Sequence, residues 1–440
     1  MMKKAQKKIE KQVNKQVKKH KRAASGSRKP MEDQVGSKKR KASKKDDPSS
    51  SVHQLPPKIL EHFEKLKKMV KDTALNRNQV RLNLRKKLRV ASDCAGMASD
   101  LLALGLCGFG EDKVETTHWS ENDQDKRSLY RFVCKALGLH VSGCCKDMAV
   151  RDVATAPGCD LYVAGWPCPS FSNLGKGKGV ADKRGQVGLF GLEYIIRHVP
   201  SVVVLENVKA LANKKHKVFL DKIIEILKML DYDVHVQVLD TKDFGIPQSR
   251  NRLYLVAIKK IDLKVKFEFP EQLDFSKKYI GLFLNTKVVG KEKCNIKNYI
   301  KKYGADIQQQ QYILDVHSSK KFQSAKRYVC PCLTRSRLKV APTGYYIPKL
   351  NRRLSIQEAA RLQGWPDQLI DSLQEKITDQ VIGGALGDSM SINVLAKVLL
   401  QALLSINFIE HEYELKTRDP WYLSEDTSRA STDAWRTFYL

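Results

Sequence analysis

The chain of 440 residues predicts an open α/β sheet that keeps its chemistry at the carboxyl ends of its strands, and three observations lead there. The first is Asp160-Leu-Tyr-Val-Ala-Gly-Trp-Pro-Cys168-Pro-Ser-Phe-Ser172. Its apolar run Leu161 to Ala164 reads as a buried strand, and Gly165 and Pro167 stop it so abruptly that Cys168 falls on a loop at the strand's end. The second is Leu88-Arg-Val-Ala-Ser-Asp-Cys-Ala-Gly-Met-Ala-Ser99, a strand entering a small-residue turn, followed by a helix start at Asp100 to Leu106. Backbone N–H groups and a helix N-terminus at such a turn can receive a carboxylate or phosphate. The third is the recurrence of acids at successive strand ends: Glu121, then Asp147 after the run Val141 to Cys145, then Glu206 after Ser201 to Leu205.

Around these elements the chain divides by composition. Residues 1–50 hold 18 Lys/Arg against 5 Asp/Glu and almost no large apolar residues, so this basic tail cannot bury enough surface to fold and is predicted to be disordered. Within it, Lys38-Lys-Arg-Lys41 followed by Lys44-Lys45 reads as a nuclear-import signal or as a plain solvated charge run. Residues 51–87 form a helical lead-in that opens at Leu55-Pro-Pro57. Ile59, Leu60, Phe63, Leu66, Met69 and Val70 at helical spacing predict a helix packed on the edge of the next domain.

Residues 88–258 carry the strand-end pattern, with a helix near Leu189–His198, a second over 218–231 and a strand over 232–240. Residues 259–350 break the rhythm: periodicity is irregular, lysine abounds, Gln308 to Gln311 is low-complexity, and tyrosines are scattered among the charges, as in a nucleic-acid-facing insertion. Regularity returns over 351–405. Ser355 and Glu358 make a capping box, Gly364 ends that helix, and Gly383 to Ser391 leads into the apolar helix Ile392–Leu404. The tail 406–440 mixes acidic and aromatic residues, and a docking strap and disorder both remain open for it.

The formal charge of +31 is concentrated in two blocks, the tail and residues 259–353, where 22 Lys/Arg face 7 Asp/Glu. Such blocks suit a polyphosphate partner. No apolar run has membrane-spanning length and no apolar signal core opens the chain, which points to a soluble intracellular protein. The ten cysteines show no zinc spacing and no disulfide framework, so reduced thiols and no metal are expected.

Several residues stand out chemically. Cys168 lies between two prolines beside Gly175-Lys-Gly-Lys-Gly179, a basic loop suited to close over a polyanion, and is either a nucleophile or a buried small hydrophobe. Glu206, at the end of a buried strand, pays desolvation unless protonated or paired, which predicts a raised pKa. In Gln248-Ser-Arg250-Asn-Arg252 the two arginines fall on one strand face and read as a surface pair or as an anion and carbonyl receptor. Glu121 is placed to grip ribose hydroxyls and Asp147 to accept from an adenine amino group, though either could be an ordinary helix cap.

Taken in order, Pro167-Cys168, Glu206-Asn207-Val208, Gln248-x-Arg250-x-Arg252, the run Arg353-Leu-Ser to Gly364-Trp-Pro366 and Gly387-Asp-Ser-Met resemble the cytosine-5 DNA methyltransferase family across residues 88–405, interrupted by 259–330. The resemblance implies a Rossmann-like methyltransferase domain with a mixed, mostly parallel sheet and a small basic target-recognition domain. It implies Cys168 as nucleophile, Glu206 as cytosine-binding acid, Arg252 near the base carbonyl and Arg250 in support. It further implies S-adenosyl-L-methionine as cofactor, faced by Cys94, Ala95, Gly96, Met97, Glu121, Asn122, Asp147, Met148, Pro167 and Asp388. The chain departs from the family pattern in a turn that keeps only Gly96 and in Asp388, where asparagine is usual.

The implied reaction is methyl transfer to carbon 5 of a flipped-out cytosine through a covalent cysteine adduct, with double-stranded DNA as partner and nuclear location. A monomer is expected, with partner contacts through the N-terminal tail. A transfer-RNA methyltransferase of the same family is the near alternative, and a catalytically silent DNA-binding or partner-binding module the more distant one.

Overall fold

The computed structural model describes residues 55–75, 87–141, 143–167, 179–272, 280–285 and 292–409. The basic tail with its Lys38–Lys45 charge run, Cys168 with the glycine-rich loop through residue 178, and the tail from residue 410 lie outside the described residues. All described residues belong to one compact unit, Val52–Leu440.

Its centre is a seven-stranded sheet made of β1 (Leu88–Asp93), β2 (Val114–Ser120), β3 (Cys144–Cys145), β4 (Leu161–Ala164), β5 (Val202–Val208), β6 (Tyr232–Asp240) and β7 (Asn251–Lys259). The order is β3-β2-β1-β4-β5-β7-β6. All pairings are parallel except those of β7, which runs antiparallel to both β5 and β6. Central β4 and the Val202–Leu205 part of β5 are continuous apolar runs because helices cover both of their faces. Helices Ser99–Leu106 and Ile392–Ser405 pack on one face through Leu101, Leu102, Leu395 and Leu399, against Val90, Leu161 and Val204. Helices Val187–His198 and Lys217–Met229 pack on the other, where Ile195, Phe219 and Ile223 meet Tyr162 and Val203.

The lead-in helix is Pro57–Leu75. It lies across the helices Val187–His198 and Lys217–Met229, making a third layer. Ile59, Phe63, Leu66 and Val70 are buried there, while Leu60 stays 39% exposed because the contact is with two helices and covers a narrower stripe. The third strand-end run also shrinks: pairing over Val141 to Cys145 is confined to Cys144–Cys145 and one bridge from Val141 to Thr116.

The chain over 292–353 forms short elements, including the helix Lys297–Tyr303 and an antiparallel sheet of β8 (Leu314–Asp315), β9 (Tyr345–Ile347) and β10 (Arg352–Arg353). Strand alternation decides how it attaches. Tyr346 faces a local cluster with Ile296, Tyr299, Ile307 and Leu314, whereas Tyr345 and Ile347 face the main core.

The capping box at Ser355 and Glu358 forms as expected and opens the helix Ile356–Arg361. Gly364 follows it at φ +85°, a conformation that favours glycine. The glycine-rich stretch at 383–387 is itself helical, Asp379–Asp388, and its glycines let the short helix Arg335–Leu338 approach. A Cβ at Gly383 would lie 2.3 Å from the Leu338 carbonyl oxygen, and one at Gly387 would lie 2.1 Å from the Arg335 nitrogen.

Candidate active site

The parallel order β3-β2-β1-β4 brings the turn after β1 and the acids after β2 and β3 to one sheet edge. The turn is tightly wound: Cys94, Gly96 and Ala98 have φ of 52°, 57° and 63°. Glu121 secures it, accepting from the Gly96 N–H at 3.0 Å and the Asp123 N–H at 2.9 Å, so a buried carboxylate joins the β1 turn to the end of β2. Asp147 is exposed and accepts from the Ala149 N–H at 2.9 Å, capping a short helical turn. The Met97 side chain is packed in the core, leaving only its backbone available at this edge. Asn122 is exposed and gives its carbonyl oxygen to Arg127. Cys94 and Met148 meet with their sulfurs 3.8 Å apart.

Two strands to one side of β1, the antiparallel pairing of β5 with β7 puts Glu206 opposite Tyr254 and Val208 opposite Arg252. Glu206 and Arg252 are therefore diagonal neighbours on one face, and Arg252 Nε lies 3.0 Å from Glu206 Oε1. This is an ion pair without a directed hydrogen bond, because Oε1 has no donor among the described residues. Glu206 is only 8% exposed, and burial raises its pKa against the lowering effects of Arg252 and Arg250. The segment leading into Cys168 passes beside it. A Cβ on Gly165 would be 3.4 Å from Glu206 Oε2, and Asn207 Nδ2 donates to the Trp166 carbonyl at 3.2 Å. Pro167 is the last described residue before Cys168.

Arg252 also lines a cleft of about 460 Å³ between the end of β5, Val208 to Ala210, and the segment Ser324 to Thr334. Arg250, 2% exposed, turns its guanidinium away from the cleft and onto main-chain oxygens. It donates to Leu333 O at 2.7 Å, Ser389 O at 2.6 Å and Gly387 O at 3.4 Å. Those donors being taken, Arg250 holds three segments together and is not an open anion receptor. Gln248 does the same, with its amide bound to Leu362 O, Gln363 Oε1 and the Leu333 N–H.

Residues 94–402 match the C-5 cytosine-specific DNA methylase family. The chain belongs to that family. Among relatives of this methylase are the type II methyltransferases M.HaeII of Haemophilus aegyptius, 30% identical over 70% of this chain and 90% of that protein, and M.Bsp6I of a Bacillus species, 29% identical over 64% and 89%. Among solved structures, Schizosaccharomyces pombe Dnmt2 methyltransferase has a TM-score of 0.52 at 20% identity, covering 72% of this chain and 98% of its own. A putative DNA modification methyltransferase from an Escherichia coli prophage has the same TM-score at 18% identity, covering 73% and 99%. These likenesses show the Rossmann-like fold.

Two features of the methylase site were not legible in the sequence. Beneath the β1 turn, Asp93 accepts from Ser120 Oγ at 2.6 Å, Tyr162 Oη at 2.6 Å and Arg151 at 2.7 and 2.8 Å. Arg151 also lies over the Tyr194 ring at 4.7 Å and beside His118, whose imidazole burial pushes down to about 4. No local spacing announces this network, since its members come from five separate segments. The second feature is Cys332, in the cleft wall, with its sulfur 3.7 Å from Arg250 and 3.9 Å from Arg252. Asp388, an acid where the family usually has asparagine, takes Lys126 and Arg335 at 2.7 Å each, and Arg335 also reaches Asp123 at 3.3 Å. That ion cluster joins the C-terminal helices to the loop after β2.

Proposed function

We propose that this methylase transfers a methyl group to carbon 5 of cytosine in double-stranded DNA, with Cys168 as covalent nucleophile and Glu206 as the acid that protonates the base. One observation carries the reading: Glu206 is buried and raised in pKa, its Oε1 ion-paired with Arg252 at 3.0 Å without a directed hydrogen bond, beside the segment that enters Cys168. A protonated carboxyl there can donate to ring nitrogen 3 while Arg252 receives the neighbouring carbonyl oxygen. Protonation drains electron density from the ring, so the Cys168 thiolate can form a bond to carbon 6 and leave carbon 5 nucleophilic. Loss of the carbon 5 proton and breakage of the sulfur–carbon 6 bond restore the thiolate. Because carbon 6 is shielded inside a duplex, the base must leave the stack, and the cleft beside Arg252 has room to receive it.

The donor set at the other edge fits S-adenosylmethionine. Glu121 retains unused acceptor sites toward ribose hydroxyls, exposed Asp147 suits an adenine amino group, and a carboxylate-rich rim favours a sulfonium cation over a phosphate. When bound, that group supplies an electrophilic methyl; the chain's own part is to hold its nucleoside through the 94–97 turn, Glu121 and Asp147. Residues 259–350, with their surplus of positive charge, are the target-recognition region in this reading and hold the duplex backbone. The basic tail adds sequence-independent affinity and a nuclear address.

DNA carrying 5-fluorocytosine tests the covalent step, because fluorine cannot leave as a proton does. Wild-type protein with cofactor should form an adduct that survives denaturation, and Cys168→Ala should form none. An undiminished adduct in the variant would remove Cys168 from the reaction.

A further inference from the structure

The cleft wall holds a group that the reaction above does not use. Cys332 sits between Arg250 and Arg252, which approach its sulfur to 3.7 and 3.9 Å from the same strand, and Arg252 is at the same time the ion partner of Glu206. Four side chains from three segments thus form a line of alternating charge, Arg250, Cys332, Arg252, Glu206, if the cysteine is a thiolate. We propose that Cys332 is a positioning residue of the cytosine site: as a thiolate bridging the two arginines it shares the charge of Arg252, leaving Glu206 free to carry the proton that the base needs. This rests on the reading of Glu206 as the acid.

The charge arithmetic supports it. Without a second anion, both guanidiniums would act on Glu206 alone and favour its carboxylate, the form that cannot donate. With Cys332 ionised, two cations face one anion before Glu206 titrates, and the low-dielectric wall makes each charge count. The two arginines pull the Cys332 thiol below its ordinary value against the opposing effect of burial. Glu206 Oε1, in a residue more than nine-tenths buried, meets Arg252 Nε at 3.0 Å but accepts no directed hydrogen bond among the described residues, so the carboxyl keeps hydrogen-bonding capacity for a ligand.

Lys209 and Lys326 also line the cleft, and the other acidic, thiol and phenol groups packed around the cluster do not compete for these roles. Tyr254 on β7 and Tyr345 on β9 are driven far above neutral by burial, and Tyr345 donates to the Cys332 carbonyl oxygen at 2.8 Å. Cys330 is raised by burial, and Asp315 on β8 is held by Arg337 at 2.9 Å.

Two measurements on the full chain decide the proposal. Site-resolved mass spectrometry of iodoacetamide labelling, read on the tryptic peptide Tyr328–Arg335, should show Cys332 alkylating with a pH midpoint below that of an ordinary thiol, about 8.5. Replacing Arg252 with Met should move the midpoint upward. The second measurement is the pH profile of methyl transfer to cytosine DNA. In Cys332→Ser the alkaline limb should move to lower pH, so its ratio to wild type falls steadily as pH rises, while Cys332→Asp, which keeps the negative charge, should restore the limb. A Cys332→Ser loss equal at every pH would reduce the residue to a structural part and overturn the proposal, as would an ordinary thiol midpoint. If the wild type transfers no methyl to DNA, the proposed function fails, and the thiol midpoint still decides whether the arginines hold a thiolate.

Discussion

Replacing Glu206 with Gln keeps the volume of the side chain and its place opposite Tyr254 but removes the transferable proton. Arg252 stays within reach of the new amide, and its contacts with Asn251 O at 2.9 Å and with Cys332 do not depend on Glu206, so DNA binding should change little. What is lost is the general acid, worth about 10²- to 10⁴-fold. Because Arg252 can still polarise the base carbonyl, the lower part of that span is expected, near 10²-fold or about 2.7 kcal/mol of barrier. Tritium transfer from labelled S-adenosylmethionine to duplex DNA, with binding followed by fluorescence anisotropy, separates the two effects.

The pH dependence sharpens this test. Burial raises the folded pKa of Glu206, so its favourable protonated form is present at low pH and lost as pH rises through that raised value. Wild-type kcat/KM should therefore fall on the alkaline side of it, and Glu206→Gln should lack that limb. Stability follows the same sign. The folded chain holds this proton more tightly than the unfolded chain, so the contribution of Glu206 is fully present below the unfolded pKa and fades as pH rises through the folded one. Gln cannot ionise, so the variant should gain stability relative to wild type across that window. Unchanged turnover, or a reduced rate with an intact alkaline limb, would refute the acid role.

Three further outcomes are expected. Glu358 is fully buried, paired with Arg352 at 2.6 and 2.9 Å and accepting from the Asn285 N–H at 2.7 Å; Glu358→Gln should cost about 3–5 kcal/mol in urea unfolding by stranding Arg352, and Arg352→Met combined with it should cost clearly less than the sum of the single changes. Gly387→Ala drives a Cβ into the Arg335 main chain and should destabilise by about 1–3 kcal/mol or more in the same assay, because the opposing atom is backbone and cannot swing away. DNA affinity should fall steeply with log salt, by about 0.9 per neutralised phosphate on B-DNA, and deleting residues 1–50 should flatten the slope while methyl transfer persists.

The sequence by itself determined the order of strands and helices from 88 to 258 apart from the helix Gln124–Ala136, because period-2 and period-3.6 apolar patterns and glycine or proline stops are local signals. It also determined that Glu206 would sit at a buried strand end with a raised pKa, since a carboxylate following Val-Val-Val-Leu has no local escape from desolvation. The capping box at Ser355 and Glu358 was legible for the same reason, but the second role of Glu358, closing on Arg352 and Asn285, was not. Local spacing left open which of the two arginines faces the cleft, although the family resemblance implied Arg252, and tertiary structure supplied the physical reason. Their spacing made them equal, and only the arrival of Leu333, Gly387 and Ser389 carbonyls took Arg250 out of solvent reach. It likewise decided that Cys332 meets them from 80 residues away and that Asp93 is buried among donors from distant segments. Such partners are chosen by the three-dimensional path of the chain, because a buried charge must find its compensation wherever the fold brings it, and no periodicity in the sequence records that choice.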